Sequence, residues 1–310
     1  METYSDPREE PGAMDVRRAL LVDAFTEEPL AGNPAGLVPE ADGLSPVQMQ
    51  AVAGELGASE TAFLLPSGSA DRRIRYFTPT TEVDLCGHAT VASHAHLHDE
   101  GVLEAGSHTL ETNVGVLEVE VEPDGRVWMT QGDPEVREVA VEPERVAGAL
   151  GIDPAAMEVD DLPLAYASTG LPFLVVPVRL LSDLGGAEPD AEAVEAVAAE
   201  VDAVGIYAFT FDALEGGSTL HGRMWAPGAG VPEDPVTGTA SGATGAYLRR
   251  FDAFDSMPEE MVFEQGDFVD RPGRVFVAVG ERVRVGGYAA TALDGELAVP
   301  EVGGDDIIEV

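Results

Sequence analysis

The chain has 310 residues, 45% of them hydrophobic, and carries 57 Asp and Glu against 17 Lys and Arg, for a net charge of -40; all of those cations are arginine, and lysine is absent. An apolar content this high with regular periodicity excludes a disordered acidic chain. The shortage of cations excludes nucleic acid as a partner, the lack of any run of about 18 apolar residues excludes a membrane partner, and a single cysteine, Cys86, excludes a disulfide framework or a cysteine-based metal cluster.

In chain order, Met1 to Met14 reads as a loose acidic tail, without the basic and apolar regions of a leader. Arg18 to Phe25 reads as a strand, and the Gly-Asn-Pro core of AGNPAG (Ala31 to Gly36) as a loop. Ser45 to Leu56 has a Ser cap, Pro at the first helical position and apolar residues at helical spacing, which predicts a helix. Thr61 to Leu65 and Arg73 to Phe77 predict strands, after which PTTEVDLCGHATVASHAHLHDEG turns into a second helix closed by Gly101. Alternation from Leu110 to Thr130 predicts a strand pair joined by a Pro-Asp-Gly turn. Beyond a polar boundary at Gly132 to Pro134 come helical AAMEV and AVEAVAAEV segments, the strands FLVVPV and YAFTF, and a tail of alternating strands from Arg274.

One long-range echo stands out. Glu82 to Thr90 (EVDLCGHAT) aligns with Glu233 to Ser241 (EDPVTGTAS), each an acidic start followed by a Gly-containing turn into an apolar helix. Two such turns about half a chain apart suggest two lobes of matching architecture. The free N–H groups and macrodipole of each helix start form an anion site, and two of them facing each other would clamp a carboxylate.

The runs AGNPAGLV, ASETAFL, YFTPTTEVDLCGHATVASH and GVPEDPVTGTASGATGAYL occur in an order that resembles the PhzF-like family of phenazine-biosynthesis isomerases, within the diaminopimelate epimerase fold. The resemblance runs from about Asp15 to the last strands. It implies an α+β fold of two pseudo-symmetric lobes, each an antiparallel barrel-like sheet around a central helix, with the active site in the cleft between them. Residues 15–133 would form the first lobe, joined by a returning segment at 288–310, and residues 134–287 the second.

Glu60 stands between Ser59 and the apolar run Thr61 to Leu65, where partial desolvation suits a carboxylate to taking and returning a proton. As an isolated residue it reads as one of the surface acids; the resemblance implies that it is the proton-shuttling acid. Asp234, before Pro235, is biased toward extended backbone at the mouth of the second turn. The resemblance implies catalytic roles for His88, Asp234 and Thr239, with His88 and Thr239 hydrogen-bonding the substrate, and substrate contacts from Asn33, Gly87 and Gly238. Counting excludes a symmetric two-thiol racemase, because the position matching Cys86 is Thr237; Cys86 itself reads as a small buried apolar residue. His94, His96 and His98 read as a histidine-rich exposed helix with no third metal ligand at a recognised distance. The pairs Gly185-Gly186, Gly216-Gly217 and Gly303-Gly304 read as turns, so no metal and no cofactor is expected.

The expected function is a cofactor-independent isomerase moving a proton on a small carboxylated metabolite. An epimerase or racemase of an amino-acid-like substrate, or a metabolite-binding protein that keeps the cleft without chemistry, are the alternatives. A homodimer is left open. The expected compartment is a reducing cytoplasm of high salt, since a folded surface coated with acids repels itself at ordinary ionic strength, and molar salt shortens the Debye length to about 3 Å.

Overall fold

The computed structural model describes residues 15–300. The expected tail Met1 to Met14, the end of the returning segment beyond Pro300 and the Gly303-Gly304 pair lie outside the described residues. The first half of the chain runs β1 (Asp15–Ala24), β2 (Asn33–Val38), α1 (Pro46–Leu56), β3 (Thr61–Leu65), β4 (Arg72–Phe77), β5 (Glu82–Val83), α2 (Gly87–Asp99), β6 (Gly106–Thr112), β7 (Gly115–Val121) and β8 (Val127–Thr130). The second half runs β9 (Glu135–Glu138), α3 (Pro143–Leu150), β10 (Ala165–Ser168), β11 (Pro172–Pro177), α4 (Leu181–Gly185), α5 (Ala191–Glu200), β12 (Gly205–Thr210), β13 (Leu220–Ala226), β14 (Val231–Asp234), α6 (Gly238–Arg250), β15 (Met261–Gln265), β16 (Gly273–Val279), β17 (Val283–Gly287) and β18 (Ala289–Val299).

The strand pairing of the first half is repeated in the second. β1–β2, β3–β4, β4–β5, β6–β7 and β7–β8 are antiparallel, while β2–β3 and β4–β6 are parallel. In the same order β10–β11, β12–β13, β13–β14, β15–β16 and β16–β17 are antiparallel, while β11–β12 and β13–β15 are parallel. Helices carry the crossovers that parallel neighbours require: α1 lies between β2 and β3, α4 and α5 between β11 and β12. β8 pairs with β17 to join the two sheets, β18 returns to pair with β1, and β9 pairs with β10 in the corresponding place. The fold is therefore α+β with two pseudo-symmetric, mostly antiparallel lobes.

Each sheet curls around one helix. β1, β2, β3, β7, β8 and β18 touch α2, and β9, β10, β11, β16 and β17 touch α6. A helix enclosed on all sides must be small and satisfy its own polar groups. Every residue from Ala89 to Leu97 in α2 is buried. Three of its polar side chains turn back onto the helix, Thr90 Oγ1 donating to Cys86 O at 2.7 Å, Ser93 Oγ to Ala89 O at 2.6 Å, and His94 Nδ1 pairing with Thr90 O at 2.9 Å. In α6 the first of these bonds recurs at the matching position, Ser241 Oγ donating to Thr237 O at 2.9 Å. Small residues let neighbours close on α6: a Cβ at Gly245 would lie 2.6 Å from Val277 Cγ1 of its own sheet, and one at Gly238 would lie 2.9 Å from Phe25 Cζ of the other half.

Four expectations are corrected. Asn33 to Gly36 is strand, not loop: Asn33 pairs with Ala24 and Pro34 with Asp23, and the turn comes earlier, where Leu30 and Gly32 take positive φ. Pro34 is tolerated at the start of β2, where its missing donor costs no ladder bond. The Leu110 to Thr130 region holds three strands, because Asn113-Val114 makes a second tight turn ahead of the Pro-Asp-Gly turn. The histidine-rich helix is not exposed. His94 is 1% exposed and His96 4% exposed, burial lowers His94 to about 4, and His96 Nδ1 pairs with Thr291 Oγ1 at 3.0 Å. The AAMEV segment shortens to a 3-10 turn, Pro154–Met157, and α3 is a helix with no counterpart in the sequence reading.

The halves are also bonded to each other. Gly32 N donates to Pro272 O at 2.9 Å, and Arg274 N donates to Phe25 O at 2.8 Å. The Arg271 guanidinium reaches the buried Asp23 carboxylate at 2.5 Å and the carbonyls of Ala31 and Gly32. No described helix is long and apolar enough to cross a membrane.

Two predictions follow from packing and charge. Gly238→Ala forces a methyl group against Phe25, which is 1% exposed, and is expected to cost about 1–3 kcal/mol, whereas Gly87→Ala meets nothing within 4 Å and is expected to be neutral within about 0.5 kcal/mol. Equal stabilities in denaturant titrations of the two variants would contradict this packing. With a net charge of -40, the melting temperature is expected to climb steeply between about 0.1 and 1 M KCl, as the Debye length falls from about 10 to about 3 Å. A salt-independent melting temperature would remove the inference of a salt-adapted surface.

Candidate active site

The two echoed turns place the starts of α2 and α6 together, and the helices are in contact. Neither start is closed by a side chain. Cys86 and Thr237, the residues before them, make no capping bond, whereas Ser45 and Asp190 cap α1 and α5. Uncapped helix starts leave N–H groups without a side-chain acceptor and with the positive end of the dipole behind them.

Glu60 ends the connection from α1 to β3. Its carbonyl accepts from Gly36 N at 2.9 Å, which fixes the backbone beside β2. The side chain keeps a quarter of its surface exposed, and Oε2 lies 3.5 Å from His88 Nε2. His88 is held between two further groups, Ser59 Oγ at 3.4 Å from Nε2 and Cys86 Sγ at 3.5 Å from Nδ1. Burial, together with the charges of Glu60 and Asp234, pushes the Cys86 thiol well up.

Asp234 closes the cleft from the other half. Asn33, 2% exposed, donates from Nδ2 to Asp234 Oδ1 at 2.9 Å and to Val236 O at 2.8 Å. Thr237 Oγ1 donates to Asp234 Oδ2 at 2.5 Å. Gln265, 1% exposed, braces the turn behind, its Nε2 donating to Asp234 O at 2.8 Å and its Oε1 accepting from Thr237 N at 3.0 Å. Burial raises the Asp234 carboxyl above its ordinary value, opposed by His88 and by the donors Thr237 and Asn33, and the Glu60 charge pushes it the same way as burial. Glu60 and His88 of one half therefore act electrostatically on Asp234 of the other.

Among the other sequence-predicted residues, Gly87 is exposed at the first position of α2 with open space around it. Gly238 is half-buried against Phe25, and Thr239 is half-buried with its carbonyl accepting from Thr169 Oγ1 at 3.4 Å. Sequence reasoning missed Ser59, Gln265 and the donor role of Thr237. The three-residue spacing of Asp234 and Thr237 is a readable hydroxyl-to-carboxylate signal; Gln265 had none, because nothing local ties it to a turn 31 residues away. A separate cavity of about 380 Å³, lined by Phe25, Glu264, Asp267, Phe276 and Tyr288 among others, contains none of the candidate residues. Two of its lining carboxylates meet the buried His221 from behind the wall, Glu264 Oε2 at 3.2 Å and Asp267 Oδ2 at 3.8 Å from Nδ1.

The family model described as phenazine biosynthesis-like protein matches residues 22–295. An uncharacterized isomerase of Bacillus subtilis, YfhB, is 36% identical over 293 residues, covering 93% of this chain and 98% of the relative. The trans-2,3-dihydro-3-hydroxyanthranilate isomerase of Pseudomonas fluorescens is 30% identical over 293 residues, covering 88% and 96%. A crystal structure of a Bacillus anthracis phenazine biosynthesis protein of the PhzF family superposes with a TM-score of 0.85 at 35% identity, covering 92% of this chain and all of that one.

Proposed function

The chain belongs to the PhzF family of phenazine biosynthesis-like proteins and is an isomerase, and from that premise we propose that it moves a proton on a small carboxylated metabolite by acid–base chemistry in the cleft between its lobes. The observation that carries this reading is the 3.5 Å approach of Glu60 Oε2 to His88 Nε2 at the start of α2, with Asp234 electrostatically coupled to both from the other half. Shifting a proton along a carbon skeleton is redox-neutral, so a base, a hydrogen-bonding partner and an anion cradle suffice.

In this reading Glu60 takes a proton from carbon beside an unsaturated or carbonyl group and returns it at another carbon. His88 holds the carboxyl in place and hydrogen-bonds the developing charge. The substrate carboxylate sits on the N–H groups at Gly87, Gly238 and Thr239. Asp234 cannot share that position, because like charges a few ångströms apart oppose each other. It faces a hydroxyl or amine instead: each of its oxygens takes one internal donor and retains an unused lone pair. The Pseudomonas fluorescens relative is named for a partly reduced, amino-substituted ring carboxylate, which supports a substrate with both groups. Cys86 has no part in these steps.

The test is hydrogen exchange in heavy water with a panel of unsaturated cyclic and amino-substituted carboxylic acids, followed by mass spectrometry. The wild type is expected to add deuterium to at least one acid at carbon. Glu60→Gln, which keeps the shape and loses the transferable proton, is expected to bind that acid and to exchange it at least about a hundredfold more slowly. A Glu60→Gln variant that exchanges at the wild-type rate would rule out Glu60 as the shuttle.

A further inference from the structure

Cys86 is left unexplained by the proton-transfer reading, yet it lies against both of that reading's first-half residues. One ligand atom each from Glu60, Cys86 and His88 falls within 4.8 Å of the others. Glu60 Oε2 is 3.5 Å and Cys86 Sγ 3.8 Å from the same atom, His88 Nε2. Zinc bonds of about 2.0–2.3 Å to oxygen, nitrogen and sulfur imply ligand-to-ligand edges of roughly 3.3–3.7 Å in a tetrahedron. The three side chains thus stand close to one tetrahedral face before any metal arrives. The donor set of one thiolate, one imidazole and one carboxylate suits zinc rather than the oxygen-preferring magnesium or calcium.

The surroundings favour a dication as well. Glu60 and Asp234 bring two carboxyl groups to the imidazole and the thiol, and Asn33 and Thr237 occupy Asp234 with hydrogen bonds of their own. The fourth position then belongs to water or to a substrate oxygen. We propose that Glu60, Cys86 and His88 form an inhibitory site for a thiophilic divalent cation of the zinc class, which closes the cleft to proton transfer by engaging the carboxylate and the imidazole together. On binding, the Cys86 sulfur–metal bond forms and the thiol proton passes to solvent. The inhibitory part of this inference rests on the proposed role of Glu60; the binding part does not.

Cobalt(II) is the probe, added to the full chain in high KCl with excess magnesium to occupy the surface acids. Because Cys86 is the only cysteine in the chain, a thiolate-to-cobalt charge-transfer band reports this site alone. The band is expected to saturate at one equivalent, to vanish on adding zinc, to be absent from Cys86→Ser, and to require at least about tenfold more cobalt in Glu60→Gln. In the exchange assay, zinc is expected to stop the wild type and to leave Cys86→Ser, which loses only the sulfur ligand, at least about tenfold less sensitive. No band in the wild type, or one indifferent to zinc, would overturn the proposal whatever the fold of the variants. A wild type that exchanges substrate hydrogen but gives no band removes the metal site and leaves the isomerase reading. A zinc-displaceable band in a protein that exchanges no acid keeps the metal site and removes the proton-transfer reading.

Discussion

A single buried amide ties the halves of this molecule at the point where its chemistry is proposed. Asn33 sits at the start of β2, and its Nδ2 reaches the Asp234 carboxylate and the Val236 carbonyl, about two hundred residues further along the chain. A side-chain amide that is 2% exposed must have its hydrogen bonds met, so it fixes the distance between the lobes as well as the orientation of Asp234. The backbone bonds from Gly32 to Pro272 and from Arg274 to Phe25, and the Arg271–Asp23 pair, hold the same seam from beside it. A carboxylate placed this way feels His88 and Glu60 from the opposite lobe.

The repeat supplies the frame and its divergence supplies the chemistry. Both lobes present a 13-residue helix preceded by a short strand, and Thr90 and Ser241 bond back to Cys86 and Thr237 in the same manner. At the helix starts the match ends. The first lobe offers Cys86 and His88 with Glu60 beside them; the second offers Thr237 and Thr239 with Asp234. In the present account one lobe carries the transferable proton, the other binds and orients, and a symmetric pair of bases is absent.

Much of this was legible in the sequence where local physics decides. The Ser45 cap with Pro46 behind it marks α1 to within a residue, and the structure adds the reciprocal bond from Ser45 N to Gln48 Oε1. The apolar run Thr61 to Leu65 is β3 as read. The pairing of EVDLCGHAT with EDPVTGTAS foretold two helix starts and raised the arrangement in which they face each other. What escaped notice was set at long range. Gly-Asn-Pro has turn chemistry, but pairing with β1 and the bond from Gly36 to Glu60 draw it into a strand. The histidines of α2 look like a solvated face because their burial depends on strands from both ends of the chain wrapping the helix, and because each Nδ1 finds a partner within the lobe. Gln265 was invisible for the same reason.

The coupling across the seam is the claim on which the functional account stands, and carbon-detected NMR titration of the Asp234 carboxyl, assigned by its loss in Asp234→Asn, tests it most directly. The account predicts that this carboxyl titrates above the ordinary aspartate range and moves down when the opposing charge is removed in Glu60→Gln. A carboxyl that titrates in the ordinary range and ignores Glu60→Gln would mean that the two lobes do not share one electrostatic site.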